Sequence, residues 1–254
     1  MDRRYGMKIW SINNDWIEPI VKRYNEGFFH YIELFAVPDS FDDTAAEWKK
    51  LKTSGIPVQI HGVHSGFKVN WANKNSEEYN KNMAKDSFRF ADLFQSDIII
   101  FHPGYNGTVE ESIRQLRNLN DTRIVIENKP HIIVSDKSIE SFRGSTPEEL
   151  KLLLDGTGYA CCIDVAHAIC SANSHNIDGY EYVRQFLKLP YKICHLSDNY
   201  LHSADDIHLS IGKGEYDFKK LLSYIRNDVY LTLETPKDSL DNYINDVLYL
   251  RNNA

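Results

Sequence analysis

Short runs of β-branched and aromatic residues alternate with longer amphipathic stretches from one end of the chain to the other. Lys8–Ser11 reads as a strand followed by a helix over Trp16–Tyr24, and Tyr31–Phe35 as a strand followed by a helix over Thr44–Thr53. Val58–Ile60 leads to His61, and Glu77–Phe94 then carries apolar residues at the i, i+3, i+4 spacing of a surface helix. Ile98–Phe101 leads to His102 with a helix over Val109–Leu119. Arg123–Ile126 leads to Glu127, with a helix over Pro147–Leu154 opened by Ser-Thr-Pro. Tyr159–Ile163 leads to Asp164 with a helix over Tyr180–Leu187, and Tyr191–Cys194 leads to His195 with a helix over Phe218–Ile225. Val229–Leu233 leads to Glu234, and Leu240–Arg251 closes the chain as a helix.

Strands that are apolar throughout, each followed by a helix, imply a parallel sheet covered by helices. Eight such units in 254 residues suit a (β/α)8 barrel, an α/β TIM barrel. No Pro/Gly/Ser-rich linker or composition break divides the chain, so residues 1–254 are expected to form a single barrel domain. A doubly wound open sheet is the competitor, but it would not bring six strand ends to one point.

The ends of the strands carry the chemistry. The third to the eighth end in His61, His102, Glu127, Asp164, His195 and Glu234, and His167 follows Asp164 by three residues. The loop after the seventh strand adds Asp206 and His208 as Asp-x-His, then Gly-Lys-Gly at 212–214. In a barrel these C-terminal ends converge on one mouth. A lone strand-end His is commonly a hydrogen-bonded core residue and a lone Glu commonly forms an ion pair. Four carboxylates crowded together repel, however, and need cations. Only Lys129 and Lys213 lie near the candidates in sequence, so the expectation is metal, with nine donors implying two or three ions.

Composition constrains the rest. Hydrophobic residues make up 42% and charged residues 26%, an ordinary globular balance. No apolar run approaches a membrane span and the first ten residues do not read as a signal peptide, so a cytoplasmic protein without membrane contact is expected. Cys161, Cys162, Cys170 and Cys194 lack C-x-x-C spacing, and buried reduced thiols are expected. The net charge of −7 argues against general nucleic-acid affinity, although three bound dications would reduce it to about −1 and concentrate positive charge at the site.

FHPG at 101–104, VIEN at 125–128, CIDVAH at 162–167, HLSD at 195–198, DIHLSIGKG at 206–214 and LETP at 233–236 together resemble the endonuclease IV family, AP endonuclease family 2, within the xylose-isomerase-like TIM-barrel superfamily. The resemblance covers roughly residues 57–240. It implies one zinc ion on His61, His102 and Glu127, and a second that Glu127 bridges to Asp164, His195 and Glu234. A third would sit on His167, Asp206 and His208. A hydroxide between the metals would hydrolyse a phosphodiester 5′ to an abasic site in DNA, with Glu127 and Glu234 as the catalytic carboxylates. The family usually has Asp-Arg-His where this chain has Asp206-Ile207-His208. Ile32–Phe35 and His-Leu-x-Asp-Asn look equally like its sugar isomerase and epimerase branch.

The third loop, SGFKVNWANKN at 65–75, places Phe67 and Trp71 among Lys68 and Lys74, with His64 just before. With Lys213, His64, Phe67, Lys68 and Trp71 are the substrate-binding candidates, since aromatics stack on bases and lysines meet phosphates. A lid packed on the barrel rim explains Trp71 at least as well. Damaged DNA is thus the expected partner of a monomeric zinc hydrolase. The alternative is a sugar or sugar-phosphate isomerase or epimerase using one Mn2+ or Mg2+ on Glu127, Asp164, His195 and Glu234. A non-catalytic metal-stabilised scaffold is the third possibility.

Overall fold

The computed structural model describes residues 3–134 and 139–253. The strands are β1 (Arg4–Trp10), β2 (Tyr31–Phe35), β3 (Val58–His61), β4 (Ile99–Phe101), β5 (Ile124–Glu127), β6 (Ile132–Val134), β7 (Ile139–Ser141), β8 (Ala160–Asp164), β9 (Tyr191–Leu196) and β10 (Tyr230–Leu233). The helices are α1 (Ile17–Asn25), α2 (Phe41–Thr53), α3 (Glu77–Met83), α4 (Lys85–Phe94), α5 (Val109–Arg117), α6 (Pro147–Thr157), α7 (Val165–Ser174), α8 (Gly179–Phe186), α9 (Phe218–Tyr224) and α10 (Leu240–Asn253). Eight parallel strands close on themselves in the order β1-β10-β9-β8-β5-β4-β3-β2, the TIM barrel expected from the alternation of elements.

Two apolar layers hold the barrel. The larger lies between strands and helices, with Ile9, Leu34, Trp48, Phe90, Phe101, Ile126, Ile163 and Leu196 fully buried. The smaller fills the barrel axis with Tyr31, Ile98, Ile100, Val125, Cys162 and Ile193. Successive strand residues point to opposite faces, so Tyr31 facing the axis puts Glu33 and Phe35 on the axis too. Gly6 makes room for this plug, since a Cβ there would lie 2.4 Å from Tyr31 Cζ.

Four details differ from the pattern-based expectation. The 77–94 helix breaks at Ala84 into α3 and α4. An unanticipated helix, α7, starts directly on the end of β8, with Asp164 as its N-cap. An antiparallel hairpin, β6–β7, interrupts the loop between β5 and α6. Several helices also run past their expected ends, α6 to Thr157 and α10 to Asn253. The Ser-Thr-Pro opening of α6 is as read, with Thr146 Oγ1 accepting from Glu149 N and Pro147 in the first turn. All four cysteines are free and buried. Among the described residues no helix is long and apolar enough to cross a membrane.

Candidate metal centre

The strand ends converge as a barrel requires. Ligand-type atoms of His61, His102 and Glu127 lie within 4.8 Å of one another, as do those of Glu127, Asp164, His195 and Glu234, and those of His167, Asp206 and His208. The barrel strands, the first turn of α7 and the loop after β9 deliver these nine side chains. His61, Glu127 and Asp164 are the last residues of β3, β5 and β8, and His102 and Glu234 directly follow β4 and β10. His195 is the inward residue one step before the end of β9. His167 stands in the first turn of α7, which the Asp164 cap fixes through a 2.8 Å bond from His167 N to Asp164 Oδ1. His208, with φ at +51°, turns the β9 loop back over the mouth.

Glu127 is the pivot. Its Oε2 lies 3.2 Å from His61 Nε2, 3.3 Å from His102 Nε2 and 3.6 Å from His195 Nδ1, while Oε1 faces His167 Nδ1 at 3.1 Å. His195 Nδ1 faces Glu234 Oε2 at 2.7 Å. Asp206 Oδ2 sits between His167 Nε2 at 2.9 Å and His208 Nε2 at 2.7 Å.

Four of the five imidazoles are anchored through one nitrogen and present the other to the centre. His61 Nδ1 bonds to Gly62 O at 2.8 Å, His167 Nδ1 to Asn128 O at 2.9 Å and His208 Nδ1 to Glu234 O at 2.7 Å. His195 Nε2 meets Glu33 Oε2 at 3.0 Å. Carbonyls and carboxylates can only accept, so each anchored nitrogen carries a proton. This is the arrangement that metal-binding histidines adopt. Without an ion, nearby carboxylates outweigh burial and also favour a proton on the inward nitrogens, raising His167 to about 10 and His208 to about 9; a dication would take that proton's place.

The unpartnered atoms fit the same chemistry. His102 Nδ1 and Nε2, Asp164 Oδ2, His195 Nδ1, Asp206 Oδ1 and Glu234 Oε2 are buried without a hydrogen-bond partner, although several lie within 3.3 Å of another donor atom. Burial, seconded by the Lys129 charge, pushes His102 down to about 3, so its imidazole is neutral and free to ligate. Burial also raises the Asp164 carboxyl, and the charges of Asp206, Glu234 and Glu127 add to it against the pull of His167. A dication relieves that crowding.

The expectation that Lys129 and Lys213 are the only lysines near the donors is corrected. Lys8 of β1 is buried with Nζ 2.5 Å from Glu234 Oε1 and 3.9 Å from Glu33 Oε1. Lys129 Nζ lies 3.2 Å from Glu127 Oε1. Two ammonium groups offset part of the charge, yet five carboxylates surround them: Glu33, Glu127, Asp164, Asp206 and Glu234. The imidazoles and oxygens of the mouth therefore suit divalent ions such as zinc.

Glu33 and Lys8 lie outside the strand-end pattern because they sit one layer deeper. The signal for both is present in the sequence: a single charge inside a run that is otherwise apolar, YIELF in β2 and MKIW in β1. Parallel pairing sets Lys8 beside Glu33.

The substrate candidates divide. Trp71 is buried, edge-on to Phe101 with ring centroids 5.6 Å apart, so it offers no face to a base; tight packing overrides the stacking expectation. His64 and Phe67 belong to the mouth. The His64 ring lies nearly parallel to His102 at 5.1 Å, and Phe35 links it at 4.9 Å to Trp10 on the rim, itself 5.5 Å from Phe35. Lys68 is exposed in a left-handed conformation. Lys213 lines a surface cavity together with Asn242, Asn245 and Tyr249 of α10. Its flanking glycines instead serve Asp198, whose carboxylate accepts from the N–H groups of Asn199, Gly212, Gly214 and Tyr216. Lys237, three residues beyond Glu234, escaped the strand-end pattern. It has no ion pair among the described residues, and burial together with the Lys8 charge lowers its pKa.

Comparison with known proteins bears on the family and the fold. A probable endonuclease 4 of Thermosipho melanesiensis is 27% identical over 221 residues, which is 78% of this chain and 77% of that protein. Its counterpart from Thermosipho africanus is 28% identical over 212 residues, 74% of each chain. Among solved structures, a D-tagatose 3-epimerase-like protein superposes with a TM-score of 0.76 at 17% identity, covering 98% of this chain and 96% of that one. Endonuclease IV from Thermus thermophilus superposes with a TM-score of 0.73 at 19% identity, covering 98% of both. At such identities the two superpositions speak for the fold. The profile of the xylose isomerase-like TIM barrel family matches residues 22–253. With that match and the closed barrel, the chain belongs to the xylose isomerase-like TIM barrel family (AP endonuclease family 2).

Proposed function

We propose that this protein is a zinc-dependent phosphodiesterase that cleaves DNA 5′ to abasic sites. The observation that carries the proposal is the presence in one mouth of three donor sets, two of them joined through Glu127, where a sugar isomerase needs one. Its relatives named probable endonuclease 4 support the same choice.

His61, His102 and Glu127 would hold one ion, Glu127, Asp164, His195 and Glu234 a second, and His167, Asp206 and His208 a third. Bound there, the ions would supply Lewis acidity and a water of lowered pKa. Glu127, close to both the first and second sets, fixes their separation and stands ready to accept the proton of an attacking water. Glu234 lies under its own lysine: Lys8 occupies Oε1 and leaves Oε2 to face the centre. Asn128 fixes two groups at once, donating through Nδ2 to Asp164 O at 2.9 Å and accepting from His167 Nδ1 on its backbone carbonyl. His64, Phe67 and Trp10 form an aromatic wall on one side of the mouth, suited to the unpaired nucleotide beside a missing base. Lys68 and Lys237, which make no ion pair among the described residues, are proposed to meet substrate phosphates.

A second reading, a sugar or sugar-phosphate epimerase with one Mn2+ or Mg2+, draws on a specific feature of the mouth. Lys8 and Lys129 are engaged by carboxylates, and the loop after β9 presents exposed Tyr200 and Ile207 where a DNA reader would place arginine or lysine. A duplex carrying one abasic site decides between them. The zinc-loaded protein is expected to nick it 5′ to the lesion, with chelation abolishing and zinc restoring the cut. An intact duplex, together with isomerisation of a ketose or its phosphate, would overturn the proposal.

A further inference from the structure

Beneath the nine donors lies a second polar layer that the strand-end pattern does not contain. Glu33, Thr232 and Tyr31 are all fully buried on the barrel axis, contributed by β2 and β10. Thr232 Oγ1 donates to Glu33 Oε2 at 2.6 Å. Because that bond uses the threonine proton, the 2.6 Å contact between Tyr31 and Thr232 runs from the phenol to Thr232 Oγ1. The same Glu33 oxygen receives His195 Nε2–H at 3.0 Å. Lys8 Nζ stands between Glu33 Oε1 at 3.9 Å and Glu234 Oε1 at 2.5 Å.

An isolated carboxylate at this depth would be costly, and its partners show what it is for. One of them, His195, reaches from Glu33 to the mouth. Its other nitrogen, Nδ1, is buried, has no hydrogen bond and faces Glu234, Glu127 and Asp164 at 2.7, 3.6 and 3.9 Å. The chain Tyr31–Thr232–Glu33–His195 therefore reaches the set that shares Glu127 with its neighbour. The Lys8 ammonium performs the parallel task for Glu234 by occupying Oε1. Rotating the imidazole to present Nε2 instead would take the His195 donor from Glu33, leaving it the Thr232 hydroxyl and the Lys8 ammonium at 3.9 Å.

We infer that Glu33 is a positioning residue of the metal centre: with Thr232 and Tyr31 behind it, it fixes His195 in the tautomer that offers Nδ1 to the ion on Asp164, His195 and Glu234. Partners of this kind contribute about 10–100-fold to metal affinity. The inference rests on the metal reading of the site and is independent of whether DNA or a sugar is the substrate.

The test is competition of zinc with a chromophoric chelator, read ion by ion, on the full chain. The substitution Glu33→Gln keeps an acceptor for His195 but loses the charge, and is expected to weaken one ion about 10–100-fold while sparing the others. Thr232→Val removes the supporting hydroxyl and is expected to weaken the same ion to a smaller extent. Thr232→Ser, which restores the hydroxyl, should return it to the wild-type value. Nitrogen-15 spectra of the unsubstituted protein give a reading that needs no variant, with the His195 proton expected on Nε2. Unchanged zinc affinity in a folded Glu33→Gln or Thr232→Val protein, or a His195 proton on Nδ1, would overturn the inference. Failure of the wild-type protein to bind zinc at all would overturn the metal reading beneath it as well.

Discussion

At the scale of single residues, position in the cluster sorts what each substitution should do. Glu127 belongs to the first two donor sets and also faces His167 of the third and Lys129. Glu127→Gln should lower turnover by about 10²–10⁴-fold whichever substrate is correct, as steady-state rates on metal-loaded protein will show. His208 belongs to the third set alone. His208→Ala should remove one ion and cripple phosphodiester cleavage, whereas an epimerase would keep its rate. Normal activity of that variant on its substrate would contradict the assignment of the third set. Away from the mouth, Asp246 is a buried acid raised from 3.8 to about 6 by burial, against the pull of its bonds from Thr235 and Ile211 N–H. The sign follows from linkage. The folded state holds this proton more tightly than the unfolded state, so stability is fully present below about pH 4 and is lost as pH rises through about 6. Relative to Asp246→Asn, the wild-type protein should therefore lose up to about 3 kcal/mol between pH 4 and pH 7, measured by denaturant unfolding at each pH. A difference that does not change with pH would contradict it.

At the scale of elements, the loops show where pattern and tertiary packing part company. The Gly-Lys-Gly turn looks like a substrate loop, but its amides converge on Asp198. Asp198→Ala should destabilise the protein by roughly 3 kcal/mol or more through four stranded N–H donors, while Lys213→Ala should leave the unfolding free energy within about 0.5 kcal/mol of wild type. Equal effects would contradict this division of labour. The barrel strands were legible because an axis-facing and a helix-facing residue are both apolar along most of their length, which leaves a run that only a parallel, covered strand explains. The strand-end donors stood out for the same reason, as polar residues where apolar runs stop. Lys8 and Glu33 were hidden because they sit inside such runs, where one charge reads as an interruption until the register pairs the two. Helix α7 was hidden because it follows β8 with no break and Asp164 has two uses, serving as N-cap through Oδ1 while Oδ2 faces the centre. Trp71 failed as a stacking residue because alternation with lysine says nothing about which side of a loop faces Phe101.

For the whole molecule, barrel closure and the mouth are one problem. Above an axis plugged by Tyr31, Ile100, Val125 and Ile193 lies a buried polar layer of Lys8, Glu33 and Thr232. Above it, five imidazoles and the remaining carboxylates crowd one space, where without ions only two lysines and protonated imidazoles such as His167 and His208 offset the negative charge. The central claim is that several divalent ions complete this charge balance, and it yields directly to counting. Elemental analysis of protein purified without chelator and equilibrated with zinc should find two or three ions per chain. At most one ion per chain, with the protein folded and active, would contradict the account.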